Sequence, residues 1–252
     1  MIYYLFNEVF YRPLFNGLIF LYNIVPSHDM GVSIVVLTII IRLILWPLTN
    51  KGIKSQKALA ALQPKIEEIK RKFSAKGGSA SGGKDNKEAQ AKALMALYSE
   101  NKINPLAGIL PLILQIPIIF ALWRVFLNST DSDFGSIYSF IAAPVEIQTV
   151  FLGLFDLTKR SMLLAVIAGI LQYFQTKMVM PAFAPQSGAS EGKPPVSADF
   201  GRIMSKQMLY FGPVISIVIF WTLPAALPLY WIMVTLMTIL QQYLNKNNGT
   251  NR

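Results

Sequence analysis

Five stretches of this chain, 31–49, 106–127, 162–180, 208–223 and 228–244, are almost free of charge. Each runs close to the roughly 20 apolar residues that a helix needs to cross a hydrocarbon core of about 30 Å. The first reads GVSIVVLTIIIRLILWPLT, and only a tight LPAALP connection separates the last two. Composition agrees with that reading. Of 252 residues 53% are apolar and 14% charged, against roughly 25% charged in an ordinary soluble domain, so the ions that would solvate a globular surface are missing. Mean hydropathy is +0.45. Pro111 and Pro117 inside the second stretch are tolerable, because neighbouring helices can satisfy the freed carbonyls. The expected fold is all-α, a polytopic membrane protein with five transmembrane helices.

Lys and Arg set the orientation of such a chain. Twelve of the 23 fall within 51–105. Five spans place that segment on the same side as 181–206 and the tail, which add Lys193, Arg202, Lys206, Lys246 and Arg252. The opposite side holds Arg12, Lys159 and Arg160, with Arg124 at its boundary, against Glu8, Asp29, Asp131, Asp133, Glu146 and Asp156. The basic side is expected to be cytoplasmic (or its organellar equivalent). That makes a multi-pass protein of the cell membrane, with the N-terminus outside and the C-terminus inside. The segments are then 1–27, an N-terminal interfacial amphipathic helix; 28–50, the first transmembrane helix; and 51–105, a cytoplasmic helical hairpin. The second helix occupies 106–128, an extracytoplasmic loop 129–160 and the third helix 161–180. A cytoplasmic loop at 181–206 precedes the fourth and fifth helices within 207–244, and 245–252 is the tail.

Residues 2–25 are rich in aromatics and leucine but interrupted by Asn7, Glu8, Arg12, Pro13 and Asn16. They lack the basic start and small-residue cleavage site of a signal peptide. A helix lying at the interface fits, with Tyr3, Tyr4, Tyr11 and Tyr22 at headgroup level; a further span is the alternative. In the basic segment, Leu59, Leu62, Ile66, Ile69 and Phe73 follow the spacing of a narrow helical seam. SAKGGSASGGKDNK then reads as a flexible tip, and Leu94, Leu97 and Tyr98 offer the returning face. The prolines and small polar residues of 183–196 read as a mobile loop.

Little conventional chemistry is available. Without cysteine there is no disulfide, thiolate metal site or cysteine nucleophile. His28, the single histidine, reads as a solvated or interfacial residue. No phosphate-binding glycine loop, nucleophile–base pair or carboxylate cluster is present, so no enzyme activity, cofactor or metal is expected. Arg42 stands out instead. It lies within the first apolar stretch, about 10–12 Å short of its cytoplasmic end at about 1.5 Å per residue. An arginine at such depth costs at least about 2.5 kcal/mol and normally faces a wet cavity or a partner; snorkelling to the interface is the bland alternative.

None of the five stretches contains an acidic residue, so no span of this chain supplies a carboxylate to pair with it. Neutral candidates are Gln115 in the second stretch, and Gln172 and Gln175, three apart on one face of the third. Thr235 and Thr238 repeat that spacing, but threonines often bond only their own helix. Trp123, Trp221, Tyr230 and Trp231 near the outer ends suit an interfacial belt. The basic hairpin is either no more than an orientation signal or a docking surface for ribosomal RNA, anionic lipid or targeting machinery. A polar pocket around Arg42 fits passage of hydrophilic peptide segments. It equally fits an anion site in a small-anion transporter, though no internal repeat of the transporter kind is visible. A structural scaffold is a third reading.

At several motifs the chain resembles the YidC/Oxa/Alb family of membrane protein insertases. They are IIIRLILWPLT, LQPKIEEIKRKF, MALYSENKINPLAGILPLILQIPIIFALW, LQYFQTKM and LPLYWIMVTLMTILQQ, in order from about residue 31 to 243. The resemblance implies an insertase and chaperone that works without ATP, with a hydrophilic groove open to the cytoplasm and to lipid. It puts Arg42, Gln115, Gln172, Gln175, Tyr230 and Trp231 along the substrate groove. It implies nascent membrane proteins and the lipid bilayer as partners of a functional monomer. The basic loops would face the ribosome, signal recognition machinery and a Sec translocon. Two family features are not expected of this chain: a large periplasmic domain before the first span, as in Gram-negative members, and a lipobox cysteine, as in many Gram-positive ones. The short tail argues against strong ribosome tethering.

Overall fold

The computed structural model describes residues 2–75, 83–104, 113, 115–121, 123, 137–179 and 196–247, and these are mostly helical. They fall into two compact units. The first comprises Met1–Pro47, Leu112–Thr176 and Tyr210–Arg252.

It opens with α1 (Ile2–Phe6), a π turn (Asn7–Tyr11) and α2 (Arg12–Ile24). Pro13 cannot donate to the Val9 carbonyl and its ring crowds that group; the wider π turn just before it relieves the conflict. Tyr11, Phe15, Leu18, Ile19 and Tyr22 form one buried stripe of this helix and pack in the same core as Met30, Ile34 and Leu37 of α3 (Met30–Ile44). Tyr11 and Tyr22 therefore point inwards, unlike the headgroup anchors expected from their amphipathic ring chemistry. Tyr4 is exposed, and so is His28.

Asp29 caps α3, its carboxylate accepting from the backbone N–H groups of Gly31 and Val32. The helix stops at Ile44, short of the expected end at 49–50. Pro47 withholds a hydrogen bond from the Leu43 carbonyl, the chain turns at Leu45, and α4 (Trp46–Ala61) begins anew. Further along come a helical stretch at 115–121, a small hairpin of β1 (Val150–Phe151) and β2 (Phe155–Asp156), and α7 (Met162–Val179). The chain continues into α8 (Val196–Thr222) and α9 (Ala226–Asn247).

Gly169 lets α7 and α8 approach closely: a Cβ there would lie 2.3 Å from Ile217 and 3.1 Å from the Pro213 carbonyl. One end of the unit is knotted by loops. The Tyr22 hydroxyl donates to the Glu146 carbonyl and accepts from the Gln148 N–H, and the Asn16 side chain accepts from the Tyr138 N–H. The Ala225 and Ala226 N–H groups donate to the Lys159 and Leu157 carbonyls. The N-terminal helix, the 137–160 segment and the α8–α9 connection thus share one end.

The second unit comprises Leu48–Pro111 and Lys177–Leu209. Here α5 (Gln63–Ala75) pairs with α6 (Gly83–Glu100). Leu62, Ile66 and Leu97 are buried together, with Ile69, Leu94, Tyr98 and Ile103 against them. Leu59 and Phe73 are not part of that cluster. Of the expected flexible tip at 74–87, residues 76–82 lie outside the described residues, and helix covers 74–75 and 83–87. The expected mobile loop at 183–196 is likewise outside them, except for Val196, which is already helical. Helix α8 then starts at Val196, about three turns before the fourth span was expected, because VSADFGRIMSKQ carries no helix breaker except Gly201.

Among the described residues α9 alone is long and apolar enough to cross a bilayer by itself. Met162–Met178 and Leu209–Thr222 are shorter apolar helices, and α3 passes only as a pair with α4, broken at Leu45. Large apolar side chains nevertheless cover the outside, including Ile170 and Phe174 on α7, Val214 and Val218 on α8, and Leu240 on α9. A water-facing protein does not present so continuous an apolar surface.

Candidate functional site

Arg42 sits in the last turn of α3, where the positive guanidinium complements the helix dipole. It is therefore at a helix end, two residues before Ile44, and not deep within a helix running to 49. It is still only 9% exposed. Among the described residues the ion pairs are Arg12–Glu8 and Lys159–Asp156, and neither involves Arg42. Tyr230 on α9 lies within electrostatic reach of it. The Tyr230 hydroxyl accepts a hydrogen bond from the Gln115 side-chain amide. Three sequence-distant candidates, Arg42, Gln115 and Tyr230, thus form one polar cluster because α9 packs directly on α3.

Trp231 and Gln172 form a second polar pair: the indole N–H donates to Gln172 Oε1 at 3.1 Å, while the ring leans on Phe220. Gly212 passes close to the Gln172 amide, 3.8 Å from where its Cβ would be. Gln175, one turn on from Gln172, is half-buried. All six candidates belong to the first unit. Tyr230 is buried and Trp231 half-buried, unlike the exposed Trp123 and Trp221, so the four aromatics do not form a single belt.

The threonines divide. Thr38 and Thr238 donate to the Ile34 and Val234 carbonyls of their own helices, whereas Thr235 is simply buried on the α3-facing helix. Two buried residues escaped the sequence reading, Gln241 and Gln242. The Gln242 Oε1 is buried and accepts no hydrogen bond among the described residues. The signal was the glutamine pair closing an otherwise apolar helix. Asp29, whose position directly before the apolar run marks it as an N-cap, also escaped it.

Chemically, the cluster offers donors in excess: five guanidinium N–H groups, amides, a phenol and an indole. No group of three or more His, Cys, Asp or Glu residues that could hold a metal occurs among the described residues. Such a surface can solvate carbonyls, carboxylates and other polar groups in an otherwise apolar setting.

Comparison with known proteins decides the family. The family model described as 60Kd inner membrane protein matches residues 20–252. The chain belongs to that family, the inner-membrane YidC/Oxa family. A membrane protein insertase YidC from Syntrophus aciditrophicus is 33% identical over 237 residues, which is 93% of this chain and 36% of the relative. Those from Citrifermentans bemidjiense and Geobacter metallireducens are each 30% identical, over 93% and 94% of this chain and 36% and 37% of their own lengths. The chain spans a little over a third of the length of these relatives.

Proposed function

We propose that this chain is an insertase and chaperone for membrane proteins. Hydrophilic segments of a nascent client enter a polar groove around Arg42, and their apolar segments pass sideways into lipid. The observation that carries this reading is the buried Arg42, without a carboxylate partner among the described residues, on a helix packed against the one that bears Tyr230 with its Gln115 donor. A buried cation lacking an ion-pair partner is costly unless water or a ligand reaches it. The names of the related proteins point the same way.

In this reading the groove is lined by Arg42, Gln115, Gln172, Gln175, Tyr230 and Trp231. Five spans cross the membrane with the N-terminus outside and the C-terminus in the cytoplasm, where the α5–α6 hairpin lies. The end knotted by Tyr22, Leu157 and Ala225 is the outer one. Polar donors lower the desolvation cost of the client's hydrophilic segment, and partitioning of its apolar segment into lipid drives release, with no nucleotide required. The clients are nascent membrane proteins, and the basic loops face the ribosome and its targeting machinery.

Site-specific crosslinking tests this. Photoreactive probes at positions 42 and 231 are expected to capture a stalled single-span client, while a probe at the exposed Phe140 position does not. Adducts at the control position, with none at 42 or 231, would sink the reading.

A further inference from the structure

The β1–β2 hairpin lies outside the polar cluster, and its composition does not suit water. Val150 pairs with Asp156 and Phe151 with Phe155. Phe151 and Phe155 are half-buried against the core. Phe151 lies over Gly31 so tightly that a Cβ there would sit 2.2 Å from its ring. An antiparallel hairpin with one covered face normally turns polar side chains outwards. Here the outward side chains are Val150, Leu152 and Leu154, exposed to 46%, 63% and 75%.

The turn itself is unusual. Leu152 has φ 50° and Gly153 φ 71°. Glycine adopts that left-handed conformation freely, and asparagine or aspartate are its usual companions; a leucine there is strained. An exposed leucine at a strained position gains nothing from water.

The hairpin also has a fixed address. The Leu152 N–H donates to Asp29 Oδ2 at 2.7 Å, and the Met30 N–H to the Gln148 carbonyl. The Ala226 N–H donates to the Leu157 carbonyl. The hairpin is thereby tied to the first residues of α3 and α9, and α7 starts at Met162. Met162 and Leu163 are themselves exposed, at 52% and 56%. The apolar outside of the hairpin therefore leads into the apolar outside of a helix across a short polar junction: the Lys159–Asp156 pair, Thr158 and the exposed Arg160.

We propose that this hairpin is a lipid anchor. Val150, Leu152 and Leu154 enter the headgroup–acyl boundary at the N-terminal ends of α3, α7 and α9, and the exposed Arg160 lies at the lipid phosphates, beside a Lys159 that Asp156 already holds. The anchor fixes the depth of three helices through one loop.

The absence of cysteine makes the test direct. Leu152→Cys and Leu154→Cys carry an environment-sensitive fluorophore, with Glu146→Cys, an exposed position of the same segment outside the hairpin, as the aqueous reference, in vesicles of phosphatidylcholine and phosphatidylglycerol. Nitroxide on a shallow acyl carbon should quench positions 152 and 154 several-fold more than 146, and iodide several-fold less. Val150→Cys, on the same face but outside the strained turn, gives the same readout where a turn substitution disturbs folding. Equal iodide quenching at all positions would place the hairpin in water and overturn the proposal. Protection from both quenchers would mean that protein covers it, and would overturn it as well.

Discussion

The indole of Trp231 donates to Gln172 at 3.1 Å, joining α9 to α7 across 59 residues. The same ring contacts Phe220 at 5.3 Å between centroids, so hydrogen bonding and packing can be separated. Trp231→Phe keeps an aromatic ring and removes the donor; Gln172→Leu removes the acceptor. Each is expected to destabilise the protein in detergent by about 1 kcal/mol. The double variant should cost less than the sum, with a coupling of about 0.5–1.5 kcal/mol in a double-mutant cycle. Strict additivity would show that the bond contributes nothing.

Gly169 carries a packing prediction. Its missing Cβ would meet Ile217 side-chain atoms at 2.3 and 2.7 Å and the Pro213 carbonyl at 3.1 Å. The isoleucine can give way, but the backbone oxygen cannot. Gly169→Val is expected to cost about 1–3 kcal/mol through overpacking. Gly169→Ala combined with Ile217→Ala should recover only the part of the Gly169→Ala loss that comes from Ile217, since the contact with the Pro213 carbonyl remains. Thermal unfolding in micelles reads both, and a neutral Gly169→Val would mean that α7 and α8 do not approach so closely.

The helical class and the family were legible because they rest on long patterns: apolar runs, and motifs spread from Arg42 to Gln242. The α5–α6 contact shows the same advantage at short range, since Leu62, Ile66 and Leu97 lie on seams that periodicity exposes. What stayed hidden depends on partners distant in sequence. Tyr11 and Tyr22 looked like interfacial anchors because ring chemistry alone cannot tell headgroups from the carbonyl of Glu146. The end of α3 was misplaced because WPLT is apolar enough to extend the run, although Pro47 interrupts the backbone there. In the site, Arg42 and the glutamines announced themselves as polar residues in apolar surroundings. That Gln115 serves Tyr230 while Gln172 serves Trp231 needed the packing of α7 and α9.

Asp156 gives a pH prediction outside the apolar helices. The Thr158 hydroxyl donates to Oδ1 at 2.6 Å, and Lys159 bonds Oδ2 at 2.9 Å. Led by the Thr158 hydrogen bond and then Lys159, these contacts hold the carboxyl at about 2, below its ordinary 3.8. The folded value lies below the unfolded one. The contribution is therefore complete above 3.8 and is lost as pH falls towards about 2. The group is largely solvated, so the effect is screened and local. The Thr158 amide resonance should titrate with a midpoint near 2, and Asp156→Asn should abolish that step. A midpoint at the ordinary carboxylate value would show that the clip does not form.

Arg42 separates function from folding if the right substitution is made. Arg42→Ala removes charge and volume together and leaves a hole, so its failure would be ambiguous. Arg42→Met keeps much of the length and discards the charge. Replacing a buried charge by an apolar side chain of similar size is often neutral or stabilising, because the desolvation penalty goes with it. Arg42→Met should therefore unfold at the same temperature or higher, while insertion of a client with a charged translocated segment falls by about tenfold, equivalent to about 1.4 kcal/mol. Arg42→Lys keeps the charge but loses the planar fork of donors, and should fall between the two. Complementation of a depleted insertase, alongside melting curves, reads all three variants. If Arg42→Met melts far below the parent, the arginine holds the fold together. If it inserts clients normally, the proposed groove does not depend on Arg42, the one cation buried in an apolar helix among the described residues.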